Sequence, residues 1–321
     1  MGRKARPRLL GSWTGRRVAT ALLAALALTA GLWGCGARGD GPADPRQLKQ
    51  VRDELRRCRT DRARLRRQLE QLREQLDRQS EVVKIVRTVS RVRQLPVRRP
   101  VVVRFIDAAT ARRRLRRSMD KELSAARARA LSATLARVGL LPAGYDLRRE
   151  MFELASEQVA GAYDSEELTL FVRTDLPGGE WILSHEIGHA LQDQTFDLDA
   201  LLERGRDHED RGTAIRSLVE GDATLIMIDY LRQTISVLKL LRMLPELVRM
   251  AATDSSRLES APAYIKQSLL SPYLDGLALV RTLHARGGWA AVDRALRDPP
   301  VSTEQVLHPA KYLGREPPLK V

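Results

Sequence analysis

An α+β architecture, mostly helical with a small β-sheet and preceded by a coiled-coil stalk, is what this chain of 321 residues predicts. Three observations carry that expectation. A heptad pattern runs through residues 46–93, two short alternating segments flank the polar turn Asp164-Ser-Glu-Glu, and nearly everything from residue 205 onward has helical periodicity. The length is enough for one large domain or two modest ones, with a real core in either case.

The charge is unevenly placed. The formal net charge is +15, and residues 1–99 hold 25 Lys and Arg against 9 Asp and Glu, which leaves the remainder at −1. A basic arm on a near-neutral domain suits either nucleic acid or an anionic membrane surface. The first segment points to the membrane. Arg3, Lys4, Arg6, Arg8, Arg16 and Arg17 precede an apolar run from Val18 to Ala30, and Gly31-Leu-Trp-Gly-Cys35 follows. A charged start, a short apolar stretch and small residues at its end describe a secretory signal, and the run is short for a spanning helix. Leu32-Trp33-Gly34-Cys35 resembles a bacterial lipobox, which implies lipidation of Cys35, although Trp33 stands where a small residue is usual. A permanent N-terminal anchor is the alternative. Either way the rest of the chain is expected outside the cytoplasm and tied to a membrane at the bacterial cell envelope.

Residues 36–45 are rich in Gly and Pro and read as a flexible tether. Pro45 then opens a long helix. With Leu48 at heptad position a, that position holds Leu48, Leu55, Arg62, Leu69, Leu76 and Val83, while d holds Val51, Cys58, Leu65, Leu72, Gln79 and Val86. Leucines confined to one seam over this many heptads predict a coiled coil. Arg59 and Arg66 fall at e, Glu54 and Asp61 at g, so a parallel homodimer would pair Glu54 with the partner's Arg59 and Asp61 with the partner's Arg66. The expected divisions are a signal and lipobox over 1–35, a tether over 36–45, a stalk over 46–95 and a C-terminal domain over 97–321. Nucleic acid is not expected as a partner, because the stalk's basic residues interleave with acidic ones and lack aromatic stacking groups.

In the C-terminal domain, Val101–Ile106 reads as a buried strand, 109–138 as one or two helices and Leu147–Ser156 as another. A hairpin over 158–172 leads to a helix from Glu180 to about Gln194, which contains His185-Glu-Ile-Gly-His189. Two His residues four apart lie one turn above each other and can reach a single ion, with Glu186 beside that ion as a general base. A catalytic zinc needs a third protein ligand and leaves a fourth position for water. The position six residues beyond His189 is Thr195, so the third ligand must come from elsewhere. Glu220 is the first candidate, an acidic residue in an apolar helical run, with an ion pair to Arg216 as the bland reading. Asp222 is the second candidate, or else an acceptor that orients a ligand imidazole. His208 falls in a charged segment and is expected at the surface, and His284 in an apolar helix is expected to be structural. Ser302-Thr-Glu-Gln suits the cap of a short helix ended by Pro309, and His308 there is a candidate catalytic residue, or simply a His bonded to backbone at a turn.

His-Glu-Ile-Gly-His-Ala-Leu-Gln followed by Glu220-Gly-Asp-Ala resembles the gluzincin-type zinc peptidases, in particular the small bacterial peptidase-MA-like proteins. The similarity covers roughly residues 150–230. It implies a zincin-like fold, Zn2+ held by His185, His189 and Glu220, Glu186 as the base, and a peptide or protein substrate. Thr224 departs from the pattern, since many gluzincins carry Asp four residues beyond the ligand Glu. The competing expectation is a non-catalytic envelope protein with a zincin-shaped binding domain, which would have no need of Glu186.

Overall fold

Helix α1 (Pro45–Arg93) opens the structure, a computed structural model that describes residues 45–175, 179–236 and 256–319. The signal segment, Cys35 and nearly all of the tether lie outside those residues. Contacts divide the chain into two compact units after Gln71. In the first, Leu55, Leu65 and Leu69 are each at least half exposed. In the second, Leu72 and Leu76 are likewise more than half exposed. No helix among the described residues is long and apolar enough to cross a membrane.

The end of α1 departs from the heptad reading. Val82, Ile85, Val86, Val89 and Leu95 belong to the main hydrophobic core, and Val92 is also buried. Val83, at heptad position a, is instead 48% exposed. Apolar residues spaced three and four apart serve an amphipathic helix packed on a domain as well as a coiled-coil seam, and the residues beyond Gln79 serve the first use. The folded domain therefore begins well before residue 97. Gln94 (φ 60°) supplies the left-handed residue that ends the helix, and the Ser90 hydroxyl donates to the Leu95 carbonyl at 2.6 Å.

Strand β1 (Val102–Ile106) pairs in parallel with β3 (Thr169–Arg173), which pairs antiparallel with β2 (Gly161–Asp164). The three-stranded order β1-β3-β2 leaves β2 at an edge. Between β1 and β2 run α2 (Ala108–Glu122), α3 (Ala125–Arg137) and α4 (Leu147–Gln158), started by the side-chain caps of Asp107, Ser124 and Asp146. Leu135, Leu141, Leu147 and Leu154 form a smaller core there with Ile265.

The main core is helical. α5 (Gly179–Phe196), α7 (Glu209–Thr234) and α9 (Ala263–Arg297) bury Ile187, Leu191, Ile215, Leu218, Ile226, Leu279 and Val280 against one another. α7 and α9 cross where Gly221 meets Gly276, and a Cβ on either would strike the other helix's backbone. α9 breaks at Gly287 and Gly288, the latter at φ 60°. Short helices α6 (Leu198–Glu203), α8 (Ser256–Ser260), α10 (Thr303–Leu307) and α11 (Pro309–Leu313) complete the described chain. The Ser302 side chain caps α10 as expected, and Pro309 begins α11 rather than simply ending α10. The α+β expectation holds.

Candidate metal centre

The floor of the site is α5, whose face carries His185, Glu186 and His189 while Leu183, Ile187, Ala190 and Leu191 bind it to the core. α5 and α7 pack closely because Gly188 lies against Ala223 and Ile226. That approach brings Glu220 of α7 over the two imidazoles. His185 Nε2 lies 3.2 Å from Glu220 Oε2, His189 Nε2 lies 3.4 Å from the same oxygen, and the two ring nitrogens are 3.2 Å apart. The three side chains form a group able to hold a metal ion.

The donor atoms test that assignment. For a tetrahedral zinc with ligand bonds of about 2.0–2.1 Å, the edges of the tetrahedron come to about 3.3–3.4 Å. A triangle of 3.2, 3.2 and 3.4 Å is one face of such a tetrahedron. The two neutral nitrogens and one carboxylate oxygen are also donors of the kind zinc accepts, so the residues fit a metal. In the protein without metal, His189 takes up the slack with a proton. Burial opposes its charge, yet the Glu220 carboxylate outweighs burial and raises its pKa to about 9. Glu220 is held far below the usual carboxylate range, because the two imidazoles overcome its burial.

The surroundings settle the remaining candidates. Glu186 is 9% exposed, and its Oε2 accepts a hydrogen bond from the backbone N–H of Tyr163 on β2 at 3.0 Å. Gly161 permits this, since a Cβ there would meet Glu186 Cγ at 3.0 Å. Asp222 does not reach the ion site. One of its oxygens pairs with Arg93 at 2.7 Å and the other accepts from Gln192 Nε2 at 2.9 Å. Thr224, where the resemblance would have put Asp, donates its hydroxyl to the Glu220 carbonyl at 2.7 Å.

His308 is not brought to the site. It is exposed at the junction of α10 and α11, and its N–H and C=O serve the backbone of those two helices. α10 is fastened to the first turn of α7, where the Thr303 N–H donates to Asp210 at 3.2 Å. Glu220 lies ten residues beyond Asp210 on α7, about 15 Å of helix. His208 is exposed and His284 stacks edge-on against Trp289 with ring centroids 4.5 Å apart, as expected of a surface and a structural histidine.

Two residues near the site went unread in the sequence. The ring of Tyr273, on α9, lies 6.0 Å from that of His185. Although Tyr273 is 42% exposed as a residue, desolvation of its hydroxyl, reinforced by Glu220 and Glu186, pushes the phenol above its ordinary value, so it stays a hydrogen-bond donor. Gln192 accepts from His189 Nδ1 at 2.9 Å. Its position three residues after His189, on the same face, was a usable signal; Tyr273 arrives by tertiary packing alone.

A scan against protein-family models and a search of curated proteins both find no match. Among solved structures, the chain is similar to a protein from Chloroflexus aurantiacus described as "a putative hydrolase with a novel fold". That similarity is at 17% identity with a TM-score of 0.47, and it covers 74% of this chain and 89% of the other.

Proposed function

We propose that this protein is a zinc-dependent peptidase anchored to a membrane, hydrolysing peptide bonds with Glu186 as general base. The observation that carries the reading is the tetrahedral face formed by His185, His189 and Glu220, with a carboxylate that is not a ligand held beside it. A zinc bound there would lower the pKa of water at its open position to about 7 and polarise the scissile carbonyl.

The chain's own groups supply the rest. The Tyr163 N–H holds Glu186 Oε2, which leaves Oε1 to take the proton of the attacking water and deliver it to the leaving amine. Ala160 bonds across to β3, so by alternation Gly161 and the Tyr163 carbonyl face the outer edge of β2, where the Tyr163 N–H is already held by Glu186. A peptide could add there as a further strand, read through its backbone rather than its side chains. Tyr273, protonated beside His185, is placed to donate to the oxygen that gains charge. Export, lipid attachment at Cys35 and parallel pairing of two copies through the stalk complete the reading, and these rest on the sequence.

The test is peptide hydrolysis by the zinc-loaded full chain and by Glu186→Gln. The variant should keep its zinc and lose about 10²–10⁴ in rate, the usual cost of removing a general base. Unchanged turnover in the variant would remove Glu186 from the chemistry and the peptidase assignment with it.

A further inference from the structure

Arg93, the last residue of α1, is wholly buried and makes three attachments. Its Nε pairs with Asp222 Oδ1 at 2.7 Å, its terminal nitrogen pairs with Asp293 Oδ1 at 2.7 Å, and its guanidinium lies 4.5 Å from the centre of the Trp289 ring. Asp222 and Gln192 are also wholly buried. A buried ion pair is weak evidence of stability, because desolvation offsets most of the attraction. Its place in the hydrogen-bond chain explains it better.

That chain runs Arg93–Asp222–Gln192–His189. Gln192 Nε2 faces the Val219 carbonyl at 3.0 Å and Asp222 Oδ2 at 2.9 Å. The carbonyl can only accept, and an ionised carboxylate can only accept, so the amide must present its NH2 group there. Its oxygen is thereby turned to His189 Nδ1, 2.9 Å away. An acceptor at that place requires the proton on Nδ1, which leaves the Nε2 lone pair free to point at the ion site. The Val219 carbonyl and Asp222 Oδ2 together fix that orientation, and Arg93 holds the Asp222 carboxylate in place through its other oxygen.

We propose that Arg93 is a positioning residue for the metal site, fixing the tautomer and ring orientation of His189 through Asp222 and Gln192. The proposal rests on the reading of His185, His189 and Glu220 as a zinc site. It makes the end of the N-terminal helix part of the machinery that sets metal affinity, although it shares no contact with the ion site.

The experiment measures zinc affinity of the full chain by competition with a chromophoric chelator. The variants are Asp222→Asn, Gln192→Leu, Arg93→Met/Asp222→Asn and the triple variant that adds Gln192→Leu to this pair. The Arg93→Met/Asp222→Asn pair leaves no unpaired carboxylate beside the lost charge, and far-UV circular dichroism checks that each variant folds. Loss of outer partners of this kind typically weakens metal binding 10–100-fold, and that range is expected for Asp222→Asn and Gln192→Leu. Arg93→Met/Asp222→Asn should fall in the same range, and the triple variant should be no weaker than Gln192→Leu alone, because all of them break one chain. The zinc-loaded parent should also show a protected His189 Nδ1–H signal by NMR that is lost in Asp222→Asn. Parental affinity in folded Arg93→Met/Asp222→Asn, or effects that multiply in the triple variant, would overturn the positioning role while leaving the zinc site standing. A parent that binds no zinc would overturn both.

Discussion

At the site, His189 and Glu220 have opposite pH signatures. Without metal, the raised pKa of His189 makes its pairing with Glu220 a stabilising contribution that is fully present below about 6.5 and is lost as pH rises through about 9. The depressed pKa of Glu220 contributes above its ordinary 4.5 and is lost as pH falls below that, toward its folded value. Zinc would have to displace the proton of His189. Its affinity should therefore rise with pH through the range 7–9, by up to about tenfold per unit for one released proton, and then level off. Competition titrations at pH 7, 8 and 9 in non-coordinating buffers check this; an affinity flat across them would contradict the proton competition. His185, Glu186 and His189 were legible in the sequence because their relation is local, within five residues of one helix. Glu220 was legible, with Asp222 as its rival, because an acid in an apolar run needs a partner. Arg93 was not, since its partner Asp222 lies 129 residues away and nothing local marks it.

Among the elements, the crossing of α7 and α9 holds Glu220 and Tyr273 on the same side of the site. Gly221 adjoins Glu220, Gly276 lies one turn after Tyr273, and each fills the space a Cβ would need on the other helix. Gly276→Ala should thus cost about 3 kcal/mol of unfolding free energy, at the upper end for overpacking because the obstacle is backbone. Chemical denaturation measures it, and a cost below about 0.5 kcal/mol would show that the helices can separate without strain. The stalk offers a second prediction. Leu55, Leu65, Leu69, Leu72 and Leu76 are each at least half exposed, and Cys58 is also exposed at the expected d position. In a parallel dimer the two Cys58 residues would face each other at a separation suited to a disulfide. Non-reducing electrophoresis with free thiols blocked should show a dimer band that disappears in Cys58→Ser. A chain that is monomeric both there and by sedimentation would contradict the paired stalk. The heptads made α1 legible as a helix, but not which of its apolar residues pack on the domain. Val82, Ile85 and Val89 obey helical spacing equally well against a domain, and only the position of α5, α7 and α9 decides between them.

Over the whole molecule, the domain boundary is the consequence with the largest energy. Six apolar side chains from Val82 to Leu95 are buried, and at about 1.5–3 kcal/mol each they contribute as much as the roughly 5–15 kcal/mol by which a domain is stable at all. A chain begun at residue 97 should fail to fold, whereas one begun at residue 72 should unfold cooperatively on heating. A folded 97–321 fragment by circular dichroism would contradict the role given to the end of α1. The α+β class was readable from periodicity and turns, but the parallel pairing of β1 with β3 was not, because its partners are some 67 residues apart and joined by three helices and β2. The central claim, that His185, His189 and Glu220 together hold one metal ion, is tested most directly by metal content. The purified full chain, dialysed against trace zinc and analysed by mass spectrometry of its metals, should carry one zinc per chain. His189→Ala and Glu220→Ala should each lose it while Glu186→Gln keeps it. A Glu220→Ala protein that still holds a full equivalent, or a parent that holds none, would contradict the account.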